Sequence, residues 1–157
     1  MKTTRENARA QQRQELITNL ESLLEKNLDA EKGYKHALKH AETSRLKAFI
    51  KNQAFLHARF ATELDQYLHT LNERPKSRHS LMGNFHRAWM DFGSSISSSA
   101  DEFILQECIR GEKAGIREYE EKLKSGKFAP ATKYLLQGQL LAMSRSIEGI
   151  EHHDDLP

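Results

Sequence analysis

Three side chains that can bind a metal ion stand at positions where the sequence predicts buried apolar residues: Glu31, His57 and Glu112. Each interrupts a stripe of leucine, isoleucine or aromatic residues that repeats at helical spacing. Carboxylate oxygens and neutral imidazole nitrogens are ligands for iron, manganese and zinc. One hypothesis is therefore a mononuclear metal site formed by these three residues and completed by water.

If the predicted helices pair, two further polar side chains lie at the same level along the bundle as these candidate ligands. If the first two predicted helices fold back on each other, Glu31 lies level with the stretch between Gln53 and His57. If the last two do the same, Glu112 lies near Gln139. Because the fourth helix offers neither a carboxylate nor a histidine in this layer, a complete two-metal site is not expected.

The alternative hypothesis is a polar layer without any cofactor. In this interpretation Glu31 stands at the edge of its stripe and pairs with Lys35, and Glu112 likewise pairs with a lysine or arginine. His57 and Gln53 together form a satisfied polar layer. Such layers fix the register of helices at some cost in stability. The sequence thus predicts either no cofactor or one iron, manganese or zinc ion, and it predicts no catalytic residues.

These positions belong to four long amphipathic patterns, which predict helices over about residues 8–41, 44–72, 100–124 and 130–151. The first stripe runs through Leu20, Leu24 and Leu28 to Glu31. Thr43 and Ser44 predict the turn into the second helix, since both residue types favour N-cap positions. Two helix pairs with a long connection between them predict an all-α bundle whose chain direction is up-down-down-up.

The long connection between the second and third of these helices contains apolar residues at helical spacing around Trp89. This pattern predicts a short helix over about residues 80–93, with Trp89 buried against the bundle as a latch. Ser99 to Glu102 has the form of a capping box that begins the next helix. The polar tail from His152 to Pro157 is expected to fray.

Composition excludes several classes of protein. The 157 residues carry a formal net charge of +2 with the two signs interleaved, so we expect no nucleic-acid partner. No apolar run approaches the length of about 20 residues that a membrane span needs, so we expect no membrane partner. The single cysteine, Cys108, excludes an internal disulfide. This favours a reducing compartment and predicts a cytoplasmic protein.

Three motifs stand out in the sequence: Gly83-Asn-Phe-His86-Arg87-Ala-Trp89-Met90-Asp91, Glu107-Cys108-x-Arg-Gly111-Glu112 and Phe60-Ala-x-Glu63-Leu64. Together they resemble the bacterial DUF2383 family of ferritin-like four-helix bundles. The resemblance extends over about Glu15 to Ile150 and implies the fold, but it implies no reaction. Ile109 stands where an acidic residue is common in that family, and Ile147 stands where a histidine is common. Both differences reduce the number of metal ligands.

From the residues and the resemblance together we predict one domain over residues 1–157, a ferritin-like four-helix bundle. The predicted function is that of a non-enzymatic cytoplasmic protein with a stress-related, assembly or interaction role. The alternative is a degenerate ferritin-like metalloprotein that binds iron, manganese or zinc and handles oxidants. A homodimer is expected because such bundles often pair along helix faces, and the sequence names no protein partner.

Overall fold

The computed structural model describes residues 1–71 and 101–157, and all regular structure within them is helical. The elements are α1 (Thr4–Leu38), α2 (Ser44–Thr70), α3 (Asp101–Ser125), α4 (Pro130–Ser146) and a short 3-10 helix (His153–Asp155). The four long helices confirm the predicted helical bundle. None of the helices in the described ranges is long and apolar enough to cross a membrane. The predicted short helix over 80–93, the Trp89 latch and the Ser99 part of the capping box lie outside the described residues.

The hairpin of α1 and α2 is held by caps at its helix starts. Thr3 and Glu6 form a reciprocal capping box, which begins α1 four residues before the predicted start at about residue 8. The Thr43 hydroxyl accepts a hydrogen bond from the backbone N–H of Leu46 and so caps α2. Since α1 ends at Leu38 and α2 begins at Ser44, the two predicted helices are confirmed as separate.

Side-chain contacts define the direction of each helix. Asn27 of α1 bonds to His57 of α2 and to Tyr119 of α3, whereas Tyr34, farther along α1, contacts Cys108 near the start of α3. Thus α1 runs antiparallel to α3. The contacts of Arg13 with Leu71 and of Asn27 with His57 show that α1 is also antiparallel to α2.

The fourth helix runs antiparallel to α2. Gln53 near the start of α2 bonds to Ser146 at the end of α4, and Tyr67 near the end of α2 bonds to Thr132 at the start of α4. The chain therefore follows an up-down-down-up course through the four helices, as the sequence predicts. As a result, the described ends Leu71 and Asp101 lie at opposite ends of the bundle.

The apolar core has two parts along the bundle axis. One cluster joins the second half of α1 and the first half of α2 to the start of α3, and it includes Tyr34, Leu46, Ile50, Leu105 and Cys108. The other joins the first half of α1 to the second half of α2 and to α4, and it includes Leu20, Leu24, Phe60, Leu64 and Leu136. Burial of this apolar surface stabilises the fold. The polar residues of the candidate site are buried where the two clusters meet.

The chain after α4 is ordered against the bundle, which corrects two predictions. The helix ends at Ser146 instead of continuing to about residue 151, and the tail packs instead of fraying. Leu156 is only 3% exposed and belongs to the first apolar cluster. The physical reason is that the start of α3 supplies acceptors: Glu102 binds the His153 N–H at 2.7 Å and the His152 ring at 3.0 Å.

Candidate functional site

The position on α1 that faces the polar layer is Asn27, not Glu31. Asn27 is 2% exposed, and its Oδ1 lies 2.8 Å from Nδ1 of His57 on α2. The predicted stripe advanced by four residues from Leu20 to Leu24 and again to Leu28. Each such step rotates about 40° beyond a full turn of the helix. The buried stripe instead passes through Asn27 and Ala30, so Glu31 falls at its edge.

Glu31 lies on the flank of the bundle. Its Oε1 accepts a hydrogen bond from Lys35 Nζ at 2.6 Å, one helical turn farther along α1, and its side chain is 20% exposed. This is the pairing that the alternative hypothesis predicts for Glu31. Its other two pairings are wrong: Glu112 contacts His57 and Tyr34 instead of a lysine or arginine, and Gln53 bonds to Ser146 instead of His57. The structure therefore brings together two of the three predicted metal ligands, His57 and Glu112, and leaves the third outside their layer.

His57 and Glu112 form a buried pair between α2 and α3. Nε2 of His57 lies 2.5 Å from Oε1 of Glu112, and the two side chains are 7% and 1% exposed. The same Oε1 accepts the hydroxyl hydrogen of Tyr34 at 2.6 Å. The Tyr34 ring also stacks against the imidazole, with ring centroids 5.7 Å apart. One oxygen of the Glu112 carboxyl group thus contacts side chains from two other helices, α1 and α2.

The bonds around Asn27 decide which nitrogen of His57 carries a hydrogen. Nδ2 of Asn27 donates to the Leu23 carbonyl and to the Tyr119 hydroxyl oxygen, both at 2.8 Å. Its Oδ1 can only accept, so Nδ1 of His57 must donate to it. A single proton then lies between His57 Nε2 and Glu112 Oε1. Whichever atom holds it, the pair has no net charge, which removes most of the cost of burying two ionisable groups.

From Asn27 the hydrogen bonds continue toward the other end of the bundle. The Tyr119 hydroxyl donates to Oε1 of Gln139 on α4 at 2.7 Å, and Nε2 of Gln139 donates to Glu63 on α2 at 3.1 Å. We call the buried residues Tyr34, Asn27, His57, Glu112, Tyr119 and Gln139 the polar network. It contains at least one member from each of the four helices.

The tyrosines of the network remain protonated and act as donors. Burial raises the pKa of Tyr34 well above its usual value, and the nearby Glu112 carboxyl raises it further. Burial also raises the pKa of Tyr119. Cys108 lies beside the network, and burial followed by the proximity of Glu112 raises the pKa of its thiol. The thiol is therefore not activated as a nucleophile.

Gln53, which the sequence places in the same layer, is buried and turns toward α4. Its Nε2 donates to the Ser146 hydroxyl at 3.0 Å, and it also hydrogen-bonds to Tyr34. Gln53 and Gln139 are therefore both buried in the region that the sequence predicts. Among the residues that the structure describes, no three His, Cys, Asp or Glu side chains come together in a group that could hold a metal ion.

A cavity of about 190 Å³ lies beside the network, between α1 and α3. Its inner wall includes the buried residues Asn27, Tyr34, His57, Glu112 and Tyr119. Its outer part is formed mainly by residues that are at least partly exposed, including Ala114 and Glu118. Oε2 of Glu112 is buried and has no hydrogen-bond partner within residues 1–71 and 101–157. Glu112 can therefore accept a hydrogen bond beside a cavity that is large enough for a small molecule.

Comparison with known proteins identifies the family. The sequence model of the family described as a domain of unknown function, DUF2383, matches residues 15–125, more than two-thirds of the chain. The chain belongs to this family. A search of curated proteins and a search of solved structures found no match.

The DUF2383 match includes α2, α3 and most of α1, and it ends where α3 ends. It therefore contains the buried His57–Glu112 pair together with Asn27, Tyr34 and Tyr119. Gln139, which completes the network on α4, lies beyond the matched residues, whereas the resemblance in sequence was expected to extend to Ile150. The central part of the polar network is thus built from the three helices that the DUF2383 match includes.

Sequence reasoning missed Asn27 as a partner of His57 and Tyr119 as a partner of Asn27, although Asn27 carries a usable signal. Asn27 lies seven residues after Leu20 and seven before Tyr34, a spacing of two helical turns at each step. A buried amide at that position requires partners on neighbouring helices. Tyr34 likewise bonds to a residue of a neighbouring helix, the buried Glu112.

Proposed function

We propose that this member of DUF2383 is a non-enzymatic, ferritin-like bundle that acts through its surfaces in a stress-related or assembly role in the cytoplasm. Its polar network fixes the register of the helices, as one buried polar residue does in a coiled coil. The all-helical architecture, the up-down-down-up course and the family membership support this proposal. The residues of the site support a structural role for the network more than a reaction.

The observation that carries the proposal is that the polar atoms of His57 and Glu112 are largely occupied by hydrogen bonds within the network. Both ring nitrogens of His57 have partners, Asn27 and Glu112, and Oε1 of Glu112 is held by Tyr34 and His57. A metal ion bound at Nε2 would have to replace the shared proton and break the shortest contact of the network. Removing one partner from a set of buried hydrogen bonds costs more stability than those bonds contribute, because the remaining polar group is left buried without a partner.

A metalloprotein is the second candidate, and one observation favours it. Glu112 Oε2 has no partner among the described residues, and Nε2 of His57 lies beside the same carboxyl group. One iron, manganese or zinc ion held by this carboxylate and imidazole would need water for its remaining ligands. In that case the protein would be a degenerate ferritin-like metalloprotein with a role in handling oxidants.

Metal analysis of protein purified without an affinity tag separates the two candidates. We expect less than about 0.1 equivalent of iron, manganese or zinc, because two protein ligands give a weak site. Glu112→Gln keeps the shape of the side chain, and Glu31→Gln is the matched control, since Glu31 lies outside the polar network and pairs with the exposed Lys35. Neither variant should change metal content.

A different result would establish the second candidate. If wild-type protein carries about one equivalent of a transition metal and only Glu112→Gln loses it, with a fall in melting temperature of several degrees, the non-enzymatic proposal is wrong. About one equivalent of metal in all three proteins would instead indicate binding away from Glu112, for example at the paired residues His152 and His153.

A further inference from the structure

The cavity between α1 and α3 has the size and lining of a small-molecule site. Small residues on both helices create the space: Ala30 on α1, and Gly111, Ala114 and Gly115 on α3. Leu23 and Met143 complete its apolar surface. Apolar cavities of about 150 Å³ in other proteins stay dry and bind benzene. A cavity of about 190 Å³ therefore accommodates a six-membered ring with one or two substituents.

The polar side of the cavity accepts hydrogen bonds and does not donate them freely. The donors that line it are already used: His57 Nδ1 bonds to Asn27, the Tyr34 hydroxyl bonds to Glu112, and the Tyr119 hydroxyl bonds to Gln139. Of the described residues that line the cavity, Glu112 has a buried acceptor without a partner, its Oε2 atom. A buried acceptor without a donor costs free energy, which a ligand with a donor can recover.

The outer edge of the cavity carries an ion pair that spans its two walls. Lys26 of α1 binds Glu118 of α3, and their side chains are 47% and 26% exposed. Exposed ion pairs contribute little to stability, so separating them to admit a ligand costs little. The two charges also cancel each other, so that the entrance favours neither anions nor cations.

From these observations we propose that the cavity binds a small, uncharged ring compound that carries one hydrogen-bond donor, such as a phenol. The ring occupies the apolar space between α1 and α3, and its donor bonds to the carboxyl group of Glu112. This binding site goes beyond the structural role proposed above. It requires neither a metal ion nor a reaction.

Calorimetric titration of the wild-type protein with phenol and with toluene tests the proposal, since the two rings are similar in size and only phenol carries a donor. We expect both to bind and phenol to bind about fivefold more tightly, the contribution of one hydrogen bond. Equal affinities would overturn the role of Glu112 as acceptor. Absence of binding by both compounds would overturn the cavity as a ligand site and leave it as a space for water.

Two glycine variants locate the site. Gly115→Leu fills the cavity: a Cβ at Gly115 meets Met143 Sδ at 3.9 Å, an ordinary contact distance, so the new side chain can begin without a clash. Gly138→Leu is the matched control, because Gly138 is exposed on α4 and a Cβ there has no described atom within 4 Å. Both replacements remove a helical glycine and should stabilise the helix similarly.

We expect phenol binding to weaken at least about tenfold in Gly115→Leu and to stay unchanged in Gly138→Leu. Gly115→Ala adds one methyl group to the cavity, and it keeps the test decisive if the leucine variant does not fold. Undiminished binding by either folded Gly115 variant would place phenol elsewhere and overturn the proposal. The two proposals fail on different results: about one equivalent of metal that is lost in Glu112→Gln overturns the proposed function, whereas undiminished phenol binding in the Gly115 variants overturns this inference.

Discussion

At the scale of single residues, Asn27 is the centre of the polar network. Its amide joins three helices: the oxygen accepts from His57 of α2 and the nitrogen donates to Tyr119 of α3, while Asn27 itself belongs to α1. Because its nitrogen also donates to the Leu23 carbonyl, the orientation of the amide is fixed. An asparagine therefore determines the tautomer of His57 and, through it, the place of the proton shared with Glu112.

Replacing Asn27 by alanine tests this role. Asn27→Ala leaves the His57 N–H buried without its acceptor, which should lower the free energy of unfolding by about 1–3 kcal/mol in urea titrations. Asn19→Ala is the control on the same helix: Asn19 accepts a longer bond of 3.3 Å from Lys122, and its loss should change stability by no more than about 0.5 kcal/mol. Equal effects of the two variants would contradict a structural role for the network.

The sequence predicts which types of residue are buried together better than it predicts their partners. Gln53, His57, Glu112 and Gln139 interrupt apolar stripes, and all four are buried. Glu31 also interrupts a stripe, but only the one that advances in steps of four residues through Leu20, Leu24 and Leu28. Asn27 and Glu31 lie four residues apart, so on a helix with 3.6 residues per turn their side chains differ in direction by only about 40°. Periodicity alone therefore could not separate Glu31 from Asn27.

At the scale of elements, the turn between α1 and α2 depends on α3 and on the tail. Oδ1 of Asp101 accepts the backbone N–H of Glu42 at 2.9 Å, and its Oδ2 accepts the N–H of Thr43 at 2.8 Å and the Thr43 hydroxyl at 2.7 Å. The Thr43 hydroxyl also contacts the His153 ring at 2.7 Å. We call this set of contacts, together with those of Glu102 to His152 and His153, the end clasp.

The end clasp should be strongest in a limited range of pH. Partial burial raises the pKa of Asp101, but hydrogen bonds from Thr43 and Glu42 outweigh it and the net pKa is lowered, so its contribution is present above about pH 3.8 and lost as the pH falls further. The hydrogen bond to Glu102 raises the pKa of His152, so that contribution is complete below about pH 6.5 and lost as the pH rises through the raised value.

NMR signals of the Leu156 methyl groups report whether the tail is packed. We expect native shifts between about pH 4 and 6.5 and loosening outside this range, which follows from the two ordinary pKa values. His152→Gln is the control, because it should remove the change at high pH and keep the change at low pH. A wild-type tail that only tightens as the pH rises through 6.5 would contradict the contribution of His152.

The elements themselves were predictable because their signals are local. Amphipathic spacing defines the four helices, and α3 ends at Ser125, directly before Gly126, where a Cβ would lie only 2.7 Å from the Lys122 carbonyl. The packed tail was not predictable in this way. Its polar residues look like a solvated end, and their partners on α3 are about 50 residues away in the sequence, as with Glu102 and His153.

At the scale of the whole molecule, the expected homodimer stays a prediction. The exposed side chains Tyr134 and Leu141 lie seven residues apart on one face of α4, with 84% and 50% of their surfaces exposed. Burial of such a face between two copies would stabilise a dimer. Sedimentation equilibrium should therefore give a mass twice the 18.1 kDa of the chain.

Charge substitutions on this face provide the control. A Tyr134→Glu, Leu141→Glu double variant should sediment as a monomer, because burying two carboxylates without partners is unfavourable. Phe55→Glu replaces another exposed aromatic residue, on α2, and should leave the mass unchanged. A wild-type mass of 18.1 kDa at all concentrations would show that the expected dimer is wrong.

The end clasp has a further consequence for the exchange of amide hydrogens with deuterium. The N–H groups of Glu42 and Thr43 lie in a turn, where exchange is usually fast, yet both donate to Asp101, 59 and 58 residues away. They can exchange only when the start of α3 moves away from the turn. Their exchange rates therefore measure the opening of α3, and a slow rate at these two amides would show that a local turn and a distant helix open as one cooperative unit.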